Sequence, residues 1–98
     1  MAQVTLQYFD GCPNWRIAEE RLVRLADEYG FPLHRQRIDT PEQAERVGFG
    51  GSPTILVDGR DPFAADGPAP TGLTCRVYPT PEGPQGAPTE DQLRAALR

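Results

Sequence analysis

The chain has 98 residues, a net charge of −4 and ten arginines but no lysine. This length predicts one domain, the negative balance argues against a general nucleic-acid binder, and the lack of lysine excludes lysine chemistry. Its apolar runs are too short for a bilayer, and no basic stretch followed by an apolar run stands near its start, so the sequence predicts a cytoplasmic protein without a membrane partner.

The first half of the chain predicts two strands and two helices. Residues 4–9 are rich in β-branched and aromatic side chains and predict a buried strand. Pro13 suits the first turn of a helix, and apolar residues recur at helical spacing up to Gly30, which is expected to cap the helix. Residues 33–38 predict a second strand. Thr40 begins a capping box, so a short helix to about residue 47 follows.

The second half predicts two more strands and a last helix. Residues 52–57 predict a strand, and the Asp58-Gly59 pair after it predicts a tight turn that leads into an antiparallel partner. Proline and glycine crowd residues 60–72, which indicates an irregular loop insertion. Residues 73–78 predict the fourth strand, and Thr89 begins a second capping box.

These elements define the fold class as α/β. The helix between the first two strands makes them parallel, and the tight turn makes the last two antiparallel. We therefore expect a mixed four-stranded sheet in the order β-α-β-α-β-β-α, flanked by helices, within a single domain over residues 1–98.

This order of elements resembles the thioredoxin fold. Three motifs carry the resemblance: Cys12-Pro13 between a strand and a helix, Ser52-Pro53-Thr54 before a strand, and Gly86-Ala87 before the last helix. The resemblance implies that Pro53 is cis, that it lies against Cys12, and that backbone groups of Ser52 and Thr54 are free to pair with an extended substrate. The alternative is an ordinary trans proline at the start of a strand.

A closer resemblance is to a group of small thioredoxin-like proteins, many of them actinobacterial, called the DF family of (seleno)proteins. The segments that carry it are YFDGCPNW at residues 8–15, GSPT at residues 51–54 and GLTCRVY at residues 72–78. Some relatives have selenocysteine at the position of Cys12, which implies a nucleophile there. Some members are labelled alkylmercury lyase-like. The resemblance implies a fold and a reactive position, but it does not supply the reaction.

Cys12 is the first candidate for a catalytic residue. It follows Asp10-Gly11 at the end of a strand and would lie at the start of a helix, where free N–H groups and the helix dipole favour a thiolate. Its pKa is therefore expected to lie below ~8.5. Arg16, one turn on, would add positive charge, whereas Asp10 would raise the pKa or, if buried, accept a proton. The alternative is that Cys12 is a small buried residue.

The position of a second active-site cysteine is occupied by Trp15, so a Cys-x-x-Cys disulfide cannot form. Trp15 is expected to pack in the core; the alternative, which is compatible with core packing, is an apolar wall beside the thiol. Cys75 would resolve a mixed disulfide on Cys12 if the two Cα atoms came within ~7 Å; otherwise it is a buried strand cysteine without a role. Arg76 would steady an anionic substrate or a thiolate, or be solvated.

Three functions are compatible with these residues. The first is a thiol oxidoreductase without a cofactor, in which Cys12 attacks a disulfide, a peroxide or a sulfenic acid and is regenerated by Cys75 or an external thiol. Its partner would be a small thiol or a protein disulfide. The second is binding or cleavage of a soft metal or an organomercurial by the two cysteines, with Asp10 as proton donor. The third is a redox-inactive thioredoxin-like binding module. The first is the function that the sequence favours.

Overall fold

The computed structural model describes residues 3–63 and 71–97. These residues form eight elements: β1 Val4–Tyr8, α1 Trp15–Tyr29, β2 Leu33–Arg37, α2 Pro41–Val47, β3 Thr54–Val57, β4 Tyr78–Thr80, β5 Gly83–Gln85 and α3 Glu90–Ala96. The α/β class predicted from the sequence is confirmed. Residues 64–70 of the predicted loop insertion lie outside the described part of the chain.

A small mixed sheet positions the end of β1, which leads to Cys12, and the start of β3, which follows Pro53. Its strand order is β2-β1-β3, with β1 parallel to β2 and antiparallel to β3. The helix α1 connects β1 to β2, which is the crossover that the sequence predicts for parallel neighbours. Leu6 of β1 lies opposite Ile55 of β3, and both side chains face the core.

The predicted four-stranded sheet differs from the observed arrangement. Within the described residues the mixed sheet has three strands, and β4 and β5 form a separate antiparallel hairpin. The Asp58-Gly59 turn is present, with positive φ at both residues. After it, the only pairing between the two sides of the turn is an isolated antiparallel bridge between Val57 and Arg60, within the described residues. Residues 74–76 do not continue beside β3, because their backbone bonds to Ser52 instead.

The helix α1 begins later than predicted. Asn14 is its N-cap, so Pro13 precedes the helix, and the carbonyl of Pro13 accepts a hydrogen bond from the Arg16 N–H (3.2 Å) in a tight turn. The predicted cap at the other end is confirmed: Gly30 has φ 76° and its N–H donates to Ala26 O (2.8 Å). A left-handed glycine is the usual residue at this position, since it has no Cβ to clash.

Two apolar clusters hold the elements together. The larger cluster packs α1 and α3 against the sheet; its buried members are Val4, Leu6, Ala18, Leu22, Leu25, Phe31, Ile55, Tyr78, Ala87 and Leu93. Each large side chain buried in this way contributes about 1.5–3 kcal/mol to the free energy of unfolding. The smaller cluster contains Ile38, Ala44 and Phe49, with Phe9 and Leu73 packed against it. Phe9 and Leu73 belong to the two segments that carry Cys12 and Cys75, so this cluster supports both.

In the described part of the chain, the helices are all too short or too polar to cross a membrane.

Candidate functional site

Cys12 and Cys75 are joined by a disulfide bond, although 63 positions separate them in the sequence. Their Cα atoms are 5.7 Å apart, within the range of ordinary disulfides. The sequence left open whether Cys75 could reach Cys12, and the structure brings the two residues together. A parallel bridge between Cys75 and Ser52 holds the second cysteine beside the turn that precedes β3.

Cys12 is fully buried and lies just before the helix rather than in it. Its relative exposure is 0%, and its N–H donates a hydrogen bond to the carbonyl of Phe9 (3.1 Å). Its Sγ lies 3.7 Å from the carbonyl oxygen of Ser52. Because Asn14 is the N-cap of α1, Cys12 stands two residues before the cap, whereas the sequence predicted the cap or the first turn.

The Ser52-Pro53 peptide bond is cis, as predicted. Both residues are buried, and the turn is tied to the strand that leads to Cys12 by a hydrogen bond from the Phe9 N–H to Ser52 Oγ (3.0 Å). The Tyr78 hydroxyl donates to the carbonyl of Pro53 from the other side. Pro53 therefore lies in a turn that is fixed from two directions beside Cys12.

The backbone groups of Ser52 are not free, in contrast to the prediction. The Ser52 N–H donates to Thr74 O (2.8 Å), and the Ser52 carbonyl accepts from the Arg76 N–H (2.9 Å). Thr54 is paired with Gln7 in the sheet, and its hydroxyl donates to the carbonyl of Gly51 (2.6 Å). For Ser52 the prediction was wrong because the chain's own segment, residues 74–76, occupies the backbone N–H and carbonyl at which it expected a substrate.

Arg76 is anchored inside the structure rather than solvated. Its guanidinium donates to both carboxylate oxygens of Asp61 (2.6 and 3.4 Å) and to the carbonyl of Phe63 (2.9 Å). The guanidinium also lies 4.5 Å from the centre of the Tyr78 ring, where the aromatic face attracts its positive charge. The side chains of Arg76 and Asp61 are only 16% and 21% exposed. This anchor holds the residue next to Cys75 in place.

Sequence reasoning missed two members of this anchor. Asp61 lay in a stretch that the sequence marks only as an irregular loop, and nothing in that pattern points to Arg76. Tyr78 is the last residue of the GLTCRVY segment, which is the one signal that could have found it. Burial raises the pKa of the Tyr78 phenol and outweighs the opposite effect of Arg76, so the hydroxyl stays protonated as a donor to Pro53.

The sequence expected Asp10 to raise the pKa of Cys12 or, if buried, to accept its proton. Asp10 is exposed and its carboxylate pairs with Arg37 (3.4 Å) at the surface. The condition that the sequence set for a proton acceptor, burial, is therefore not met. Gly11 is exposed next to the ring of Phe9, and a Cβ on Gly11 would meet that ring.

Trp15 packs against the main core, as predicted. Its ring stacks on Tyr8 at 4.3 Å between centroids, and the guanidinium of Arg16 lies 5.2 Å above the Trp15 ring. Arg16 is exposed, so its charge is placed over Trp15 at the surface.

Residues 3–63 and 71–97 contain no group of three or more His, Cys, Asp or Glu side chains that could hold a metal ion. No protein-family model matches this chain, and a search of curated proteins finds no match either.

Proposed function

We propose that this protein is a thiol–disulfide oxidoreductase with a thioredoxin-like fold, working in the cytoplasm, and that Cys12 and Cys75 are its redox pair. The observation that carries the proposal is the disulfide between a buried cysteine and an exposed one, beside a cis proline. The strand order β2-β1-β3, with Cys12 just before α1 and Pro53 just before β3, supports the fold.

The proposed reaction moves two electrons between this pair and an external dithiol. When the protein oxidises the partner, the Cys12–Cys75 bond breaks and each protein sulfur ends as a thiol. The partner's two thiols end as a disulfide. The partner's two protons are transferred to the protein sulfurs. In the reverse direction, Cys12 as a thiolate is the nucleophile that re-forms the bond to Cys75 and expels the partner's thiol. No cofactor takes part in either direction.

Disulfide exchange between dithiothreitol and glutathione disulfide tests this proposal, because glutathione release can be followed without knowing the natural partner. We expect the protein to accelerate the exchange above the uncatalysed rate. We expect the double variant Cys12→Ser/Cys75→Ser, which has no thiol, to abolish the acceleration. The exposed variant Asp39→Asn, which alters a surface ion pair with Arg37, should keep it. Equal rates for the normal protein and this double variant would contradict the proposal.

Soft-metal binding is a second candidate, favoured by the proximity of the two sulfurs. In the reduced protein, two thiolates at this distance would suit copper(I) or an organomercurial. Asp10, proposed from the sequence as the proton donor for carbon–metal cleavage, is engaged with Arg37 at the surface. Stoichiometric copper(I) binding that requires both cysteines would support this candidate. Absence of both exchange and tight metal binding would leave a redox-inactive binding module.

A further inference from the structure

The two sulfurs of the disulfide belong to residues with opposite access to solvent. Cys12 has no exposed surface, whereas Cys75 is exposed. Thr74 and Val77 beside Cys75 are exposed as well, and Val77 is 65% accessible. Cys75 therefore lies at the surface of the molecule, and Cys12 lies beneath it.

The contacts of Cys12 explain why it is covered. The carbonyl oxygen of Ser52 is 3.7 Å from its Sγ, and both Ser52 and Pro53 are buried. Residues 74–76 form two backbone hydrogen bonds with Ser52, and the Arg76–Asp61 ion pair holds the end of that segment. Cys12 is thus enclosed by the turn before β3 and by the segment that carries its own disulfide partner.

This difference decides which sulfur an outside thiolate can attack. The attacking thiolate forms a bond to one sulfur of the disulfide while the other sulfur leaves. The attack runs along the S–S axis, from the side away from the leaving sulfur. Cys12 has no exposed surface, so an outside thiolate has no open approach to its sulfur. Cys75 is exposed, so its sulfur is the one open to attack from solvent.

We propose that exchange with outside thiols takes place at Cys75, and that Cys12 is the leaving and resolving thiol. This inference rests on the redox function proposed above. The position of Cys12 before a helix, considered alone, would assign contact with the partner to Cys12. The burial of Cys12 and the exposure of Cys75 reverse that assignment.

The steps balance with one external dithiol. A partner thiolate attacks Cys75 Sγ, the bond to Cys12 breaks, and its electron pair stays on Cys12 Sγ as a thiolate. The partner's second thiolate then attacks the partner's own sulfur in the mixed disulfide, which releases Cys75 as a thiolate. The partner leaves as a disulfide, and the two protein thiolates take up the two protons. In the reverse direction, Cys75 attacks a partner disulfide and Cys12 attacks Cys75.

The test locates the first mixed disulfide in the full chain. The oxidised protein is mixed with excess reduced glutathione, quenched with acid at the earliest times, and digested for mass mapping. We expect the glutathione adduct on Cys75 to exceed the adduct on Cys12 by ~tenfold or more. An adduct mainly on Cys12, or equal adducts, would overturn the inference and leave the redox function intact. A native disulfide that glutathione does not open would overturn the redox function and the inference together.

A matched pair of variants provides the second measurement. Cys12→Ser and Cys75→Ser each keep one thiol, and each is exposed to glutathione disulfide when folded and when unfolded in urea. The unfolded rate corrects for the intrinsic reactivity of each thiol. We expect the corrected folded rate to be about tenfold higher for Cys12→Ser, which keeps the exposed Cys75. Equal or reversed corrected rates would contradict the inference.

Discussion

Tyr78 connects the cis-proline turn to the anchor of Arg76. Its hydroxyl donates to the carbonyl of Pro53, the guanidinium of Arg76 lies over its ring, and the Phe63 ring meets it edge-on at 5.4 Å. Since burial raises the pKa of this phenol, the folded protein keeps the proton at a pH where the unfolded chain has lost it. The side chain therefore fixes the site only in its neutral form.

The free energy of unfolding should consequently fall as the pH rises above ~10, the ordinary pKa of tyrosine. The unfolded chain binds fewer protons than the folded one in this range, so the contribution of Tyr78 should fall by ~1.4 kcal/mol per pH unit until the raised folded pKa is reached. Urea unfolding at a series of alkaline pH values measures the slope. The slope should become shallower in Tyr78→Phe and stay steep in Tyr29→Phe, which alters a half-exposed ring. Equal slopes in all three proteins would contradict the assignment.

The ion pair between Arg76 and Asp61 should matter more than the pairs at the surface. Both side chains are largely buried, and Asp61→Asn leaves a mostly buried guanidinium without its counter-charge. We expect this change to lower the free energy of unfolding by about 1–3 kcal/mol. The matched control is Asp39→Asn. The Asp39 carboxylate pairs with Arg37, and its side chain is 57% exposed. This substitution should lower the free energy of unfolding by less than ~0.5 kcal/mol. Urea unfolding of both variants checks the difference, and similar losses would refute it.

At the level of elements, the short helices depend on their caps. The helix α3 has seven residues, too few to be stable alone. Thr89 Oγ1 accepts from the Gln92 N–H (3.1 Å) and Gln92 Oε1 accepts from the Thr89 N–H (2.9 Å), which completes the predicted capping box. At α2 the box is altered, because Gln43 reaches the N–H of Asp39 instead of that of Thr40.

Thr89→Ala should therefore lower the free energy of unfolding by ~1 kcal/mol, since it leaves a helix N–H without its partner. The reason is local, so Thr89→Ser, which keeps the hydroxyl, should restore most of the loss. Chemical denaturation at neutral pH measures both variants. The exposed substitution Thr71→Ala serves as the control and should change little. A loss for Thr89→Ser as large as for Thr89→Ala would show that the hydrogen bond is not the cause.

Local patterns predicted most elements, and long-range contacts explain the rest. The cap at Gly30 and the capping box at Thr89 each depend on a few neighbouring residues, and both are confirmed. The cis bond at Pro53, which the resemblance to a known fold implied, is confirmed as well. Residues 73–78 have the composition of a strand, but their pairing depends on Ser52 and on Arg76 meeting Asp61. No local pattern contains those contacts. The same holds for the approach of Cys75 to Cys12.

At the level of the whole molecule, the disulfide closes a large loop. It joins residues 63 positions apart, from the end of β1 to the segment before β4. Cross-linking such a loop restricts the unfolded chain and is worth ~4 kcal/mol in the chain-entropy model. A domain of this size has a total stability of only ~5–15 kcal/mol. The oxidation state of the pair should therefore control much of the stability of the protein.

Reduction should lower the free energy of unfolding by ~4 kcal/mol. Urea unfolding of the oxidised protein, with and without dithiothreitol, measures the change. Cys75→Ser is the control, because it lacks the bond and should be as stable with the reductant as without it. A difference of less than ~1 kcal/mol between oxidised and reduced protein would show that the bond restricts the unfolded chain little.

The central claim, that Cys12 and Cys75 form a reversible redox pair in the folded protein, is tested most directly by intact mass. The purified protein is equilibrated in glutathione buffers of graded redox potential, and free thiols are then trapped with an alkylator. We predict one transition, in which both cysteines change together from fully alkylated to fully protected. The protected protein should have lost two hydrogens. The reduced and the oxidised protein should give the same curve when each is used as the starting material. Thiols that stay reduced in every buffer, or a disulfide that opens only after unfolding, would contradict the claim.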